Sequence, residues 1–143
     1  MSAFTAIQPP EHTLPIGKYS PGILAPIALG KSLLFISGQV ASDEHGNVIG
    51  IGDPSRQAEV VFANIEAVLR SCNGSLADLV SVVIYVTNIA NFAAISEVRN
   101  RVLGNPPPAS TLVEVSRLAI AEHLVEISGI ALIFEQPVKK VST

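Results

Sequence analysis

The sequence predicts an α+β domain: a mixed, mainly antiparallel sheet with two helices on one face. Three observations carry this. Two stretches of helical periodicity, each opened by an Asp or Asn and closed near a glycine, alternate with short β-branched runs. Leu79 to Val86 (LVSVVIYV) is nearly all apolar and β-branched, as a central strand buried on both faces would be. Pro106 to Ala131 reads as two alternating strands joined by a short excursion. The 143 residues suffice for one domain with a real core and are too few for two, so 1–143 is read as a single unit.

Residues 1–16 are rich in proline and aperiodic, and are expected to form an extended arm or loose terminus. Gly17 to Gly22 is a turn-rich loop. Ile23 to Leu29 and Lys31 to Ile36 flank Gly30 and predict a hairpin, ended by Ser37-Gly38-Gln39. Asp53-Pro54 opens the first helix: Asp53 can accept from free N–H groups, and Pro54 suits the first helical position. Ala58, Val61, Phe62, Ile65, Val68, Leu69 and Cys72 form its apolar stripe, and Asn73-Gly74 stops it. Asn91 opens the second helix, with Phe92, Ile95, Val98 and Val102 on the buried side and Gly104 at its end. Residues 136–143 are a polar tail.

In the Pro106–Ala131 stretch, three prolines hold the entry extended. Alternation then puts Ser110, Leu112, Glu114 and Ser116 on one face, with Thr111, Val113, Val115 and Arg117 opposite. In the second strand, Glu126, Ser128 and Ile130 oppose Val125, Ile127, Gly129 and Ala131. The latter set is small and apolar, as a helix-covered face should be. The other sheet face is expected to carry Glu114 and Glu126 together. A carboxylate inside a strand requires solvent, a partner subunit or a chemical task.

Composition narrows the partners. Hydrophobic residues make up 48% and charged ones 15%, so some apolar surface is expected to be covered by other copies of the chain. Net charge is −3, and the only adjacent basic pair is Lys139-Lys140, which disfavours nucleic acid as a partner. Cys72 is the only cysteine, so no internal disulfide is possible, and its helical position reads as a buried, inert thiol. There is no basic stretch leading into an apolar run, and no apolar segment near ~18 residues. The expectation is a soluble cytoplasmic protein with no membrane partner. His12, His45 and His123 lie far apart without metal-ligand spacing and are read as solvated. Gly50-Ile51-Gly52 lacks the Lys-Ser or Lys-Thr of a phosphate loop and is set aside.

PPPASTLVEVSRL followed by LVEISGIA resembles the paired C-terminal strands of the RidA (YjgF) family of enamine/imine deaminases. Gly17-Lys18-Tyr19-Ser20, Ser37-Gly38-Gln39, Gly52-Asp53, Gln57, Asn64-Ile65 and Asn91-Phe92 extend the resemblance from about Gly17 to Ala131. It implies a chorismate-mutase-like fold, a homotrimer, small-molecule clefts between subunits and no cofactor. It also implies hydrolysis of short-lived enamines or imines, such as 2-aminoacrylate or 2-iminobutanoate, to a keto acid and ammonia.

By the same resemblance, Glu126 matches the glutamate that holds or activates water. Tyr19 matches the cleft tyrosine, and Ser37 and Gly38 match the serine and glycine of the SGQ motif. One position departs. The family's arginine, a planar fork for the substrate carboxylate, is replaced by Ser110, and Leu112 stands where many members have a small residue or cysteine. Arg99 on the second helix is the leading substitute cation, with Arg101 and Lys31 behind it. Arg117 is set aside, being placed on the strand face opposite Ser110 and Glu126. The substrate scope is therefore expected to differ. The alternative is a non-catalytic ligand-binding or regulatory trimer, in which Ser110 marks lost chemistry; separately, Glu126 also reads as an interfacial glutamate bonded to a neighbour's backbone. A ribonuclease, as attributed to some relatives, is disfavoured by the lack of basic surface.

Overall fold

The computed structural model describes residues 2–135. The tail expected at 136–143 lies outside them. Six strands form one sheet: β1 (Thr5–Ile7), β2 (Gly22–Ala28), β3 (Lys31–Val40), β4 (Leu79–Val86), β5 (Ala109–Glu114) and β6 (Val125–Phe134). Their order is β1-β2-β3-β6-β4-β5. All neighbours are antiparallel except β4 and β5. The helices α1 (Pro54–Arg70) and α2 (Phe92–Val102) cover one face. The predicted α+β layout with two helices on one face is what the chain adopts.

The hairpin turns at Gly30, whose φ of 71° explains the glycine. The helix α1 starts where Asp53 accepts from the Arg56 amide. Its stripe is buried throughout, and its end closes through Asn73 at φ 60° with the Gly74 amide on the Leu69 carbonyl. Burial raises the Cys72 thiol pKa, so the thiol stays protonated. In α2, Ile95 and Val98 are buried and Val102 is half-buried, but Phe92 is exposed. Phe92 stands at the first position of α2.

Four further expectations need correction. Part of the N-terminal arm is ordered: Thr5–Ile7 adds an edge strand to β2. The first hairpin does not end at Ser37. Its second strand runs on to Val40 through a bulge between Ile36 and Gln39. The strand β4 is buried on one face only; Val82, Ile84 and Val86 meet the helices, while Val83 and Tyr85 are half-buried opposite. The strand β5 is turned over relative to the expectation. Its parallel register pairs Val82 with Ser110, Ile84 with Leu112 and Val86 with Glu114. Paired residues share a face, so Ser110, Leu112 and Glu114 lie on the helix side. On β6, Tyr85 pairs with Glu126 and Val83 with Ser128, which puts Glu126 on the helix-free side. Glu114 instead accepts the Ile89 amide at 2.8 Å and ties the end of β5 to the turn before α2.

The helix-free side is strongly apolar. Phe35 pairs with Ile130 and Leu33 with Leu132, and Val83 and Val113 extend the surface. Phe35 is 44% exposed and Val113 40%.

Candidate active site

Glu126 stands near the start of β6, beside the bulge in β3. The bulge brings the bare backbone of Gly38 under the glutamate. A Cβ at Gly38 would lie 2.7 Å from Glu126 Cδ and 2.8 Å from Oε2. Only glycine leaves the carboxylate this position. Burial raises the Glu126 pKa above the ordinary carboxylate value, since removing water disfavours the charged form.

The carboxylate lines a cleft of about 460 Å3. One wall is the chain between β1 and β2, which the pairing of β1 anchors. Thr13 Oγ1 donates to the Asp43 carbonyl, and His12 Nε2 meets Gln39 Oε1 at 2.8 Å. Gln39 donates from Nε2 to the Ser37 carbonyl at 3.0 Å, so one buried amide joins the bulge to this wall. Ser37 donates through Oγ to the Ser20 carbonyl at 2.6 Å and through its amide to the Pro21 carbonyl at 2.9 Å. Those two bonds hold the loop that brings Tyr19 to the cleft rim. Ser37 is therefore occupied in fixing the loop.

The opposite wall is the segment between β5 and β6. Gln57, fully buried on α1, donates to the Gly50 and Glu122 carbonyls and accepts the Leu124 amide at 2.8 Å. The bonds to Glu122 and Leu124 clamp the segment that carries His123, and the bond to Gly50 ties it to the loop before α1. His123 is 2% exposed, with Nε2 2.9 Å from Ser42 Oγ. Burial lowers its pKa, against the opposing pull of the Ala41 carbonyl and the Glu122 charge. The expectation of solvated histidines holds for exposed His45 and fails for His123 and for half-buried His12, both of which line the cleft. Their isolation in sequence hid them. The clamp at Gln57 brings His123 in, and the β1 pairing brings His12.

Ser110, Leu112 and Arg99 are elsewhere. Arg99 Nη1 lies 3.5 Å from Ser110 Oγ, and its Nε donates to Asn100 Oδ1 at 3.1 Å. Both side chains border a second depression with Leu103, Gly104 and Pro107, on the helix side of the sheet. Leu112 packs against the core. Within one chain these three residues do not meet Glu126. Arg101 pairs with Glu59 at 3.3 Å, and Lys31 lies over the Phe134 ring, so both weaker candidate cations are engaged away from the cleft. Arg117 follows β5 on an exposed loop.

The chain is thus an α+β sheet bare on one face, with a half-buried glutamate seated on a bulge glycine beside a cleft. The sequence profile described as Endoribonuclease L-PSP matches residues 10–133. A RutC family protein of Pyrococcus horikoshii is 38% identical over 117 residues, covering 82% of this chain and 88% of that one. The crystal structure of RidA from an Antarctic Psychrobacter superposes with a TM-score of 0.79 at 32% identity, covering 90% of this chain and 99% of that one. Escherichia coli TdcF, solved with bound serine, gives 0.75 at 26% identity over 89% of this chain and 97% of that one. This chain belongs to the RidA (YjgF) family.

Proposed function

We propose that the chain is a hydrolytic deaminase of reactive enamines and imines, working as a homotrimer with ligand clefts completed between subunits. The observation that carries this is the Glu126 carboxylate seated on Gly38, inside a cleft where burial pushes its pKa toward the working pH. Water adds through oxygen to the C=N carbon as the π pair moves to nitrogen, and Glu126 takes a proton from that water. Glu126 passes that proton to nitrogen, giving a neutral carbinolamine. It then takes the carbinolamine's hydroxyl proton as the C=O bond forms and delivers it to nitrogen, which leaves with the C–N bonding pair as ammonia. The products are a carbonyl and ammonia, and the balance needs only water.

Ser110 and Arg99 face away from Glu126 in their own chain, so they serve this chemistry only by entering a neighbour's cleft. The apolar helix-free sheet face supports such assembly. In that arrangement Arg99 supplies the positive charge for a substrate carboxylate, with Ser110 adding a neutral hydrogen bond. A monodentate helix arginine grips less firmly than a buried strand fork, which weakens selection for short imino acids.

A second reading, a non-catalytic ligand-binding trimer, draws on one observation: among the described residues no Lys or Arg lines the Glu126 cleft. The same fact, with a net charge of −3, speaks against an RNA backbone as substrate despite the family's ribonuclease name. The deciding experiment generates imines with a dehydratase or an amino-acid oxidase and follows keto acid release, with Glu126→Gln in parallel. Wild-type protein that releases no keto acid above the uncatalysed rate overturns the hydrolytic reading, and turnover that survives Glu126→Gln removes Glu126 from the mechanism.

A further inference from the structure

Gly38 makes room for the Glu126 carboxylate because it has no side chain, and for the same reason its backbone is the least constrained in β3. It also has no register partner on β2 or β6. The ladder to β6 pairs Ile36 with Gly129 and resumes with Gln39 on Ile127, so Ser37 and Gly38 together face Ser128 alone. The peptide plane before the glycine contains both the Ser37 carbonyl and the Gly38 Cα, so a bond that orients the carbonyl orients the glycine as well. That bond comes from Gln39 Nε2 at 3.0 Å, reaching back over Gly38.

Hydrogen-bond accounting extends the hold to the chain between β1 and β2. The Ser37 carbonyl can only accept, so the NH2 of Gln39 faces it, and Oε1 is left for His12 Nε2, 2.8 Å away. Oε1 can also only accept, so Nε2 of His12 carries the hydrogen. Gln39 is 5% exposed, and without His12 its amide oxygen would be buried with no partner among the described residues. His12 is set in turn by the chain beside it: Nδ1 lies 3.1 Å from the Thr13 carbonyl, and Thr13 Oγ1 donates to the Asp43 carbonyl. We infer that Gln39 and His12 are positioning residues for Glu126, a relay running from the arm through one amide to the backbone under the carboxylate. Its effect on turnover rests on the hydrolase reading; its effect on the surroundings of the carboxylate does not. Loosening the relay lets the Gly38 backbone move, water reach the carboxylate and the base leave its place. A displaced base is lost to the transition state more than to the bound substrate, so kcat falls more than KM rises.

The test uses the full chain and reads Glu126 in two ways. Its carboxyl titration is followed by carbon NMR without ligand, the signal being the one lost in Glu126→Gln. Turnover is followed on the oxidase-generated imine that the wild type hydrolyses fastest. Burial places the wild-type midpoint above the ordinary carboxylate range. In Gln39→Leu and His12→Ala the midpoint should fall toward that range, and kcat should drop about 10-fold or more, beyond any change in KM. His12→Gln keeps an N–H for Gln39 Oε1 and should restore both. Residues that only stabilised the fold would change the melting temperature and leave the midpoint and kcat alone. If Gln39→Leu does not fold, the two His12 variants decide. A midpoint unchanged in His12→Ala overturns the relay, whatever turnover does. His12→Gln behaving as His12→Ala overturns the hydrogen bond as its link. If the wild type hydrolyses no imine while the midpoints move as expected, the relay stands and the hydrolase reading falls.

Discussion

Ser110 and Glu126 stand on opposite faces of one sheet, with β4 between their strands. Chemistry that used both residues would have to draw them from two copies of the chain.

Assembly is therefore the first expectation to test. Sedimentation equilibrium at micromolar concentration should give the mass of a trimer. Phe35→Asp puts a carboxylate in the middle of the apolar helix-free face, opposite Ile130. It should dissociate the assembly while far-UV circular dichroism stays that of the wild type, because Phe35 contributes nothing to the helix-side core. A wild-type monomer would remove the basis for shared clefts.

Gly38→Ala tests the seat of the carboxylate. The new methyl group would meet Glu126 Cδ at 2.7 Å, a separation that forces movement. The group that yields is the free end of a side chain, so the melting temperature should change little. Turnover should fall by about 10²-fold or more, since a misplaced base loses most of its contribution. Retained turnover would mean the carboxylate works from another position.

Glu126→Gln separates chemistry from stability. Turnover should drop at least ~10²-fold with the trimer intact. Stability should move the other way at neutral pH. Burial raises the folded-state pKa of Glu126, so the stability tied to its proton is full below the unfolded carboxylate pKa and is lost as pH rises through the folded pKa. Glutamine carries no such loss. The variant should melt higher than wild type at pH 7–8, with the gap closing below about pH 4. A gap that widens on acidification would show that the buried carboxylate is stabilised rather than penalised.

Arginine at 110 addresses scope. The wild type should hydrolyse 2-iminobutanoate poorly beside an arginine-bearing relative. Ser110→Arg should raise kcat/KM for it about 10-fold or more, and Arg99→Ala should abolish much of what the wild type has. Wild-type activity equal to that relative's would show the serine is not limiting.

The elements were legible in the sequence wherever one local rule decides. Asp53-Pro54 starts α1, Asn73-Gly74 stops it, and Leu79–Val86 forms a strand. What alternation cannot supply is the phase between strands. Ser110 alternates with Thr111 whichever face it takes, and the pairing of Val82 with Ser110 decides. Glu126 and Tyr19 were readable as cleft residues through the family motifs, and the structure brings both to the same cleft. His12, Ser42 and His123 were not readable, because each arrives through a contact distant in sequence: β1 on β2, the β3 bulge, and Gln57 on the loop before β6.

The seat of Glu126 on Gly38 also bears on how relatives should be compared. The position of the carboxylate depends on an atom that is missing from another strand. Inheritance then acts on the two sites as one unit: a glutamate retained over a residue with a side chain has lost its place, and a glycine retained under another residue has lost its reason. Among homologues, a catalytic glutamate should be counted only with its glycine, and a lineage that abandons the chemistry should release both positions together.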